Sequence, residues 1–106
     1  QRDYVKAKYW LYKAAHGGND EAQRVLGQML SDGHGGPVDF TEALKWFRKS
    51  AEAGNVDAFV HMGEAHYFGL GTPVNYATAR YWYERAAQLG NEFAKKTLEI
   101  MTRKGR

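Results

Sequence analysis

The stretch DFTEALKWFRKSAEAGN, residues 39–55, carries the fold in miniature. Phe40, Ala43, Leu44, Phe47 and Ala51 recur at the spacing of one helix face, while Lys45, Arg48, Lys49 and Glu52 fall mostly elsewhere. This pattern predicts an amphipathic helix. Asp39 stands before it as an N-cap, with Glu42 three residues later in the arrangement of a capping box. Gly54 can take the left-handed conformation that closes a helix C-terminus, and Asn55 supplies a fresh N-cap for a second helix starting at Val56. A turn this short makes the two helices antiparallel neighbours.

The same signature returns on either side. Trp10, Trp46 and Trp82 stand 36 residues apart, and Gly18, Gly54 and Gly90 keep that interval, as do Asn19, Asn55 and Asn91. So do the alanine sets at 22, 58 and 94, at 7, 43 and 79, and at 15, 51 and 87. A period of roughly 20 to 50 residues marks a solenoid, in which each unit buries its apolar face against its neighbours. Within a unit the helices are joined by a longer loop, Gly33-His34-Gly35-Gly36-Pro37-Val38-Asp39 in one copy and Gly69-Leu70-Gly71-Thr72-Pro73-Val74-Asn75 in the next. No strand precedes this loop and no Lys-Ser/Thr pair follows it, so it is a shaped connection and not a phosphate cradle. Six helices are predicted: about Tyr4 to His16, Asn19 to Ser31, Phe40 to Ala53, Val56 to Phe68, Tyr76 to Leu89 and Glu92 to Arg103. In this all-α fold Ala7, Ala43 and Ala79, with Gly27 and Gly63, allow close helix contact, and the three tryptophans fill the space between units.

Composition narrows the function classes. A chain of 106 residues suits a single domain, here about three 36-residue units cut at both ends, and 43% hydrophobic with 25% charged residues describes an ordinary globular chain. The formal net charge of +3 is spread without a basic block and gives no argument for nucleic acid. With no cysteine there is neither a disulfide framework nor a thiolate metal site, and the compartment is left open. No apolar run approaches the roughly 18 residues that cross a bilayer, so direct membrane insertion is not expected. The chain starts at Gln1 without a leader pattern, and the expectation is a piece of a longer repeat protein whose N-terminal side continues into further repeats. The polar tail from Thr102 to Arg106, with Glu99 where Gly27 and Gly63 stand, is expected to suit a solvent-facing last helix.

These residues resemble the Sel-one-like repeat (SLR) family, relatives of the tetratricopeptide repeats. Ala22, Leu26, Gly27, Gly33, Gly35, Asp39, Ala43, Trp46, Phe47, Lys49, Ala51 and Gly54 follow its pattern in one unit. Ala58, Met62, Gly63, Gly69, Gly71, Asn75, Ala79, Trp82, Tyr83, Arg85, Ala86, Ala87 and Gly90 follow it in the next. Two positions depart: the usual aromatic after Leu-Gly is Leu30 or His66, and the usual Val after Gly-x-Gly is Gly36 or Thr72, with Val38 and Val74 placed to fill the gap. The resemblance implies a right-handed α/α superhelix of antiparallel helix pairs that serves as a scaffold for protein–protein interaction. It names no partner, and the cysteine-rich branch of the family lends nothing to a chain without cysteine.

Candidate sites are few. His61 and His66 lie five residues apart, about 140° round a helix, so they and Glu64 do not share an ion. His66 falls in the aromatic slot of the repeat and His61 on the buried face, while His16 and His34 are helix-end or loop residues. Ser31 and Ser50 sit in no triad pattern, which leaves a hydrolase-type enzyme as an outsider, and no catalytic residue, metal or cofactor is assigned. Fifteen aromatics invite base stacking, but the tryptophans and their neighbours Leu11, Phe47 and Tyr83 recur at core spacing.

One departure from the period points to function. Val56, Val60 and Tyr67 form a stripe on the helix from Val56, with Phe59 at its edge. The equivalent residues are Asp20, Arg24, Ser31 and Gln23 one unit earlier, and Glu92, Lys96, Arg103 and Lys95 one unit later. In the related superhelices the first helix of each unit lines the concave surface, so an apolar floor with charged walls is expected there, suited to a protein or peptide partner. Packing between units competes with this assignment, most strongly at Phe59. The expected function is a non-catalytic scaffold with Phe59, Val60 and Tyr67 as anchors, Val56 beside them, and Arg24, Glu64, Lys95 and Lys96 setting orientation. The alternative is a structural segment whose binding surface lies in repeats outside this chain. A monomer, or weak head-to-tail self-association through apolar ends, is expected.

Overall fold

The computed structural model describes residues 2–106. They form six helices: α1 (Arg2–His16), α2 (Asp20–Asp32), α3 (Phe40–Glu52), α4 (Val56–Phe68), α5 (Tyr76–Gln88) and α6 (Glu92–Lys104). No strand occurs among the described residues. Each helix packs on the next, giving an α/α stack of 44 × 24 × 18 Å. The predicted boundaries hold to within two residues, and α6 runs through most of the polar tail to a left-handed cap at Gly105.

The local signals explain the ends. Asn19, Asn55 and Asn91 each accept a hydrogen bond from the amide three residues on, capping α2, α4 and α6, and Asp39 and Asn75 do the same for α3 and α5. The capping box at Asp39 is only half made. The Glu42 amide donates to Asp39 Oδ1 at 3.0 Å, but the Glu42 carboxylate instead accepts Trp46 Nε1–H at 3.1 Å. The reciprocal bond is absent because the Asp39 amide donates instead to the Leu30 carbonyl at 2.9 Å.

Two glycine positions carry the joints. At Gly27 and Gly63 a Cβ would fall 2.7 Å from the Phe47 ring and 2.8 Å from the Tyr83 ring. These glycines are therefore what lets the two helices of a unit close on a large aromatic. At Gly71, with φ of 78°, a Cβ would lie 2.5 Å from the Phe40 carbonyl oxygen, and Gly35 meets Tyr4 in the same way. The loop of one unit thus rests on the first turn of the preceding unit's second helix. Val38 and Val74 turn back over Gly33 and Gly69.

The core is continuous through the stack, with Leu26, Phe47, Ala58, Phe59, Met62, Ala79, Tyr83 and Met101 among its most enclosed members. The tryptophans do not behave alike. Trp46 is 4% exposed because Tyr12 and His16 of α1 stand edge-on to its ring, at 6.0 and 5.0 Å between centroids. Trp82 is half-buried under Phe59. Trp10 is 64% exposed, which corrects its expected place in the core: among the described residues no helix packs on Trp10 as α1 packs on Trp46.

Candidate partner-binding face

The helices α2, α4 and α6 present equivalent residues one period apart. Successive rows read Glu21, Asp57 and Phe93; Arg24, Val60 and Lys96; Gln28, Glu64 and Ile100; Ser31, Tyr67 and Arg103; and Asp32, Phe68 and Lys104. All are exposed or half-buried, so together they make one outward face. Charge changes along it. Helix α2 carries Asp20, Glu21 and Asp32 against Arg24 alone, whereas α6 carries Lys95, Lys96, Arg103 and Lys104 against Glu92 and Glu99.

Val56 and Val60 are half-buried, each with part of its side chain against the core. Tyr67 is half-buried between Phe68 and Tyr76, at 4.8 and 5.2 Å between ring centroids, and its hydroxyl accepts a 2.6 Å hydrogen bond from Arg106 Nη1. Phe59 departs from the expectation. It is 2% exposed, stacked on Trp82 at 5.8 Å, with the Arg85 guanidinium 5.0 Å from its ring centroid. Its position on α4 faces α5 and the end of α3 and not the outward rows, so Phe59 is removed from the anchors. Lys95 occupies the same register on α6 and pairs with Glu92 at 3.2 Å, at the side of the face that Lys96 shares with Val60 and Arg24.

Arg24 Nε donates to Glu21 Oε1 at 3.1 Å, and Asn55 Nδ2 reaches the same oxygen at 3.1 Å. The hydrogen bonds from Arg24 and Asn55 hold the Glu21 carboxyl below the usual range, and the bond to Glu21 pushes the Arg24 guanidinium up. Asn55 also reaches Asp20 at 2.9 Å, and the Ser50 hydroxyl donates to the Asp20 carbonyl at 2.7 Å. These bonds tie the start of α2 to the α3–α4 turn and fix the spacing of the face. Glu64 pairs with His61 Nδ1 at 3.4 Å, and the His61 ring lies flat on Phe47, 4.4 Å between centroids. His66 is half-buried; burial, then the nearby Arg48 charge, lowers its pKa below the ordinary value of 6.5. The two histidines serve different packing sites, and among the described residues no three His, Asp or Glu side chains converge on one point. Burial raises the pKa of Tyr83 far above its ordinary value, as befits a core phenol facing Gly63.

Beside this row lies an opening of about 200 Å³ between α2, α3 and α4. Phe40, Leu44, Phe47 and Leu70 line its apolar side, and Gln28, Ser31, Asp32, His61 and Glu64 its polar rim. The sequence reading missed this opening, and it also missed Phe68 and Phe93, which are 62% and 54% exposed on the outward rows. The signal was available for Phe68: it replaces Asp32 and Lys104 in its row, the same kind of departure that singled out Val60.

A stack of antiparallel helix pairs with a 36-residue period defines an α/α repeat protein. The Sel1 repeat profile matches residues 1–19, 20–55 and 60–91, and the chain belongs to this family. Among solved structures, it is similar to a protective antigen of uropathogenic Escherichia coli displaying an SLR fold (TM-score 0.95, 40% identity, covering 96% of this chain and 22% of that one). It is also similar to a Sel1 repeat protein from Oxalobacter formigenes (TM-score 0.84, 38% identity, 88% of this chain and 27% of that one). Helicobacter pylori cysteine rich protein B aligns with a TM-score of 0.79 at 26% identity, over 85% of this chain and 68% of that one. No curated protein matches. The chain therefore spans about a quarter of the length of the two nearer of these relatives. Proteins of the family are generally protein–protein interaction scaffolds, and the fold is a typical non-catalytic one. No helix among the described residues is long and apolar enough to cross a membrane.

Proposed function

We propose that this chain is a non-catalytic scaffold that binds a protein or peptide through the concave face formed by α2, α4 and α6. The observation that carries this is the composition of the rows. Val60, Phe68, Phe93 and Ile100 leave apolar surface in water along one face, and that surface runs from an acidic end at Glu21 and Asp32 to a basic end at Lys96 and Lys104. Apolar surface in a polar frame is the anatomy of an interface, and the charge gradient gives a bound segment one preferred direction. Val56, Val60 and Tyr67 supply the floor, Arg24, Glu64 and Lys96 the orientation, and Lys95 the outer edge. The face offers no continuous cationic track suited to a nucleic-acid backbone, since its α2 end carries Asp20, Glu21 and Asp32 against Arg24 alone.

The test is capture of a defined partner by the protein carrying Val60→Lys with Tyr67→Ala. Affinity is expected to fall by about tenfold or more, since interface energy concentrates in a few central anchors, while the far-ultraviolet helical spectrum is unchanged. Capture that persists at full strength overturns the assignment. It would favour instead a structural segment with the binding surface in other repeats, a role that the exposed Trp10 end would serve as a joint.

A further inference from the structure

The opening between α2, α3 and α4 has an equivalent one unit later, and the two have different contents. Its lining positions Ser31, Phe40, Ala65 and Leu70 become Tyr67, Tyr76, Met101 and Arg106. In that second seat the Arg106 guanidinium lies 4.7 Å from the centroid of Tyr76 and 5.6 Å from that of Tyr67, and donates to the Tyr67 hydroxyl. The chain thus places its own guanidinium over the aromatic wall of the second seat. In the first, the shorter side chains leave an opening of about 200 Å³ beside the exposed ring of Phe40, with Phe47 deeper in its wall under His61. The polar rim there carries two carboxylates, Asp32 from α2 and Glu64 from α4, and no lysine or arginine. Gln28 Nε2 donates to Asp32 at 3.2 Å and His61 pairs with Glu64, so each carboxylate is held in place with acceptor capacity to spare.

We infer that this opening is a seat for an arginine side chain of the partner, with the guanidinium plane against Phe40, the aliphatic stem along Leu44 and the charge between Asp32 and Glu64. The chemistry follows from the walls. Aromatic and aliphatic groups accept the flat, weakly hydrated face of a guanidinium, and two carboxylates complement its charge and its in-plane donors. A lysine satisfies the charge without the stacking, and a glutamate is repelled. This seat deepens the proposed function and rests on it, since it lies beside the same outward row.

Four nonapeptides identical except for a central Arg, Lys, citrulline or Glu test the seat, titrated against the isotope-labelled 106-residue chain with amide shifts followed by NMR. The arginine peptide is expected to produce saturable shifts centred on Ser31, Asp32, His61 and Glu64, with weak affinity of about millimolar order. It should bind about fivefold more tightly than citrulline, which keeps shape and loses charge. Asp32→Asn with Glu64→Gln should remove that preference, and Ser31→Tyr, which copies the filled seat, should abolish the shifts; thermal unfolding confirms that both variants are folded. Equal response to arginine and citrulline, or shifts centred elsewhere, overturns the seat. If no arginine response occurs while Val60→Lys with Tyr67→Ala still abolishes partner capture, the face stands and the seat falls. If the response is intact while capture ignores those substitutions, the seat stands and the face assignment falls.

Discussion

Two joints of this molecule are made from the same positions and end in opposite states. Between α2, α3 and α4, Ser31, Ala65 and Leu70 leave an opening; between α4, α5 and α6, Tyr67, Met101 and Arg106 close the equivalent space. Met101 is fully buried there, Tyr67 rests against Tyr76, and Arg106 covers both rings. Repetition of the backbone therefore sets where units meet, and side-chain volume at three positions per copy decides whether the meeting is a packed joint or a cleft. The difference is energetic as well as geometric, because the lining of the open cleft meets water where that of the filled joint meets side chains.

Making the filled joint resemble the open one should have the largest effect. Met101→Ala reproduces Ala65 at the equivalent position and is expected to cost about 2–4 kcal/mol, the range for truncating a buried methionine where the surroundings relax only in part. Urea unfolding followed by circular dichroism measures it. A loss below about 1 kcal/mol would mean that α6 is held by other contacts and that the two joints do not differ in the way described.

The reverse exchange is smaller. Ser31→Tyr places in the open seat the ring that Tyr67 supplies in the closed one, and is expected to stabilise by about 0.5–1 kcal/mol, as cavity-filling substitutions commonly do. The urea midpoint should rise with an unchanged slope. A fall in the midpoint would show that the opening is too rigid or too narrow for the ring, and with it that an arginine stem has no room.

The period, the six helices and most caps were legible in the sequence because each rests on local chemistry: a 36-residue interval, asparagine before each first helix, glycine in the connecting loops. What was not legible depends on neighbours. Trp10 and Trp46 hold the same position in the repeat, yet only Trp46 has α1 beside it. Phe59 and Val60 are adjacent in sequence, but 100° of helix rotation turns one to Trp82 and leaves the other facing outward. Treating the departures from the period as one stripe merged these two directions. The open seat was hidden for a related reason: it is made by what is small at Ser31 and Ala65, and a small side chain leaves no mark in an apolar pattern.

An effect of similarly small size, divisible into two smaller parts, isolates the feature that links the two joints. Arg106 lies over two rings and donates to one hydroxyl, so Arg106→Ala removes a cation–π contact and a hydrogen bond together, and an exposed contact of this kind is worth about 0.5–1 kcal/mol. A double-mutant cycle with Tyr67→Phe separates them. The phenylalanine keeps the ring under the guanidinium and deletes the acceptor, so the coupling energy reports the hydrogen bond, and what Arg106→Ala still costs in the Tyr67→Phe background reports the stacking. Stacking should carry the larger share, because the hydrogen bond is made at an exposed site where water competes for both partners. If the whole loss vanishes in the Tyr67→Phe background, the hydroxyl alone holds Arg106. The aromatic wall would then have no affinity for a guanidinium, and the open seat, which offers phenylalanine where the closed one offers tyrosine, would have to rely on Asp32 and Glu64 alone.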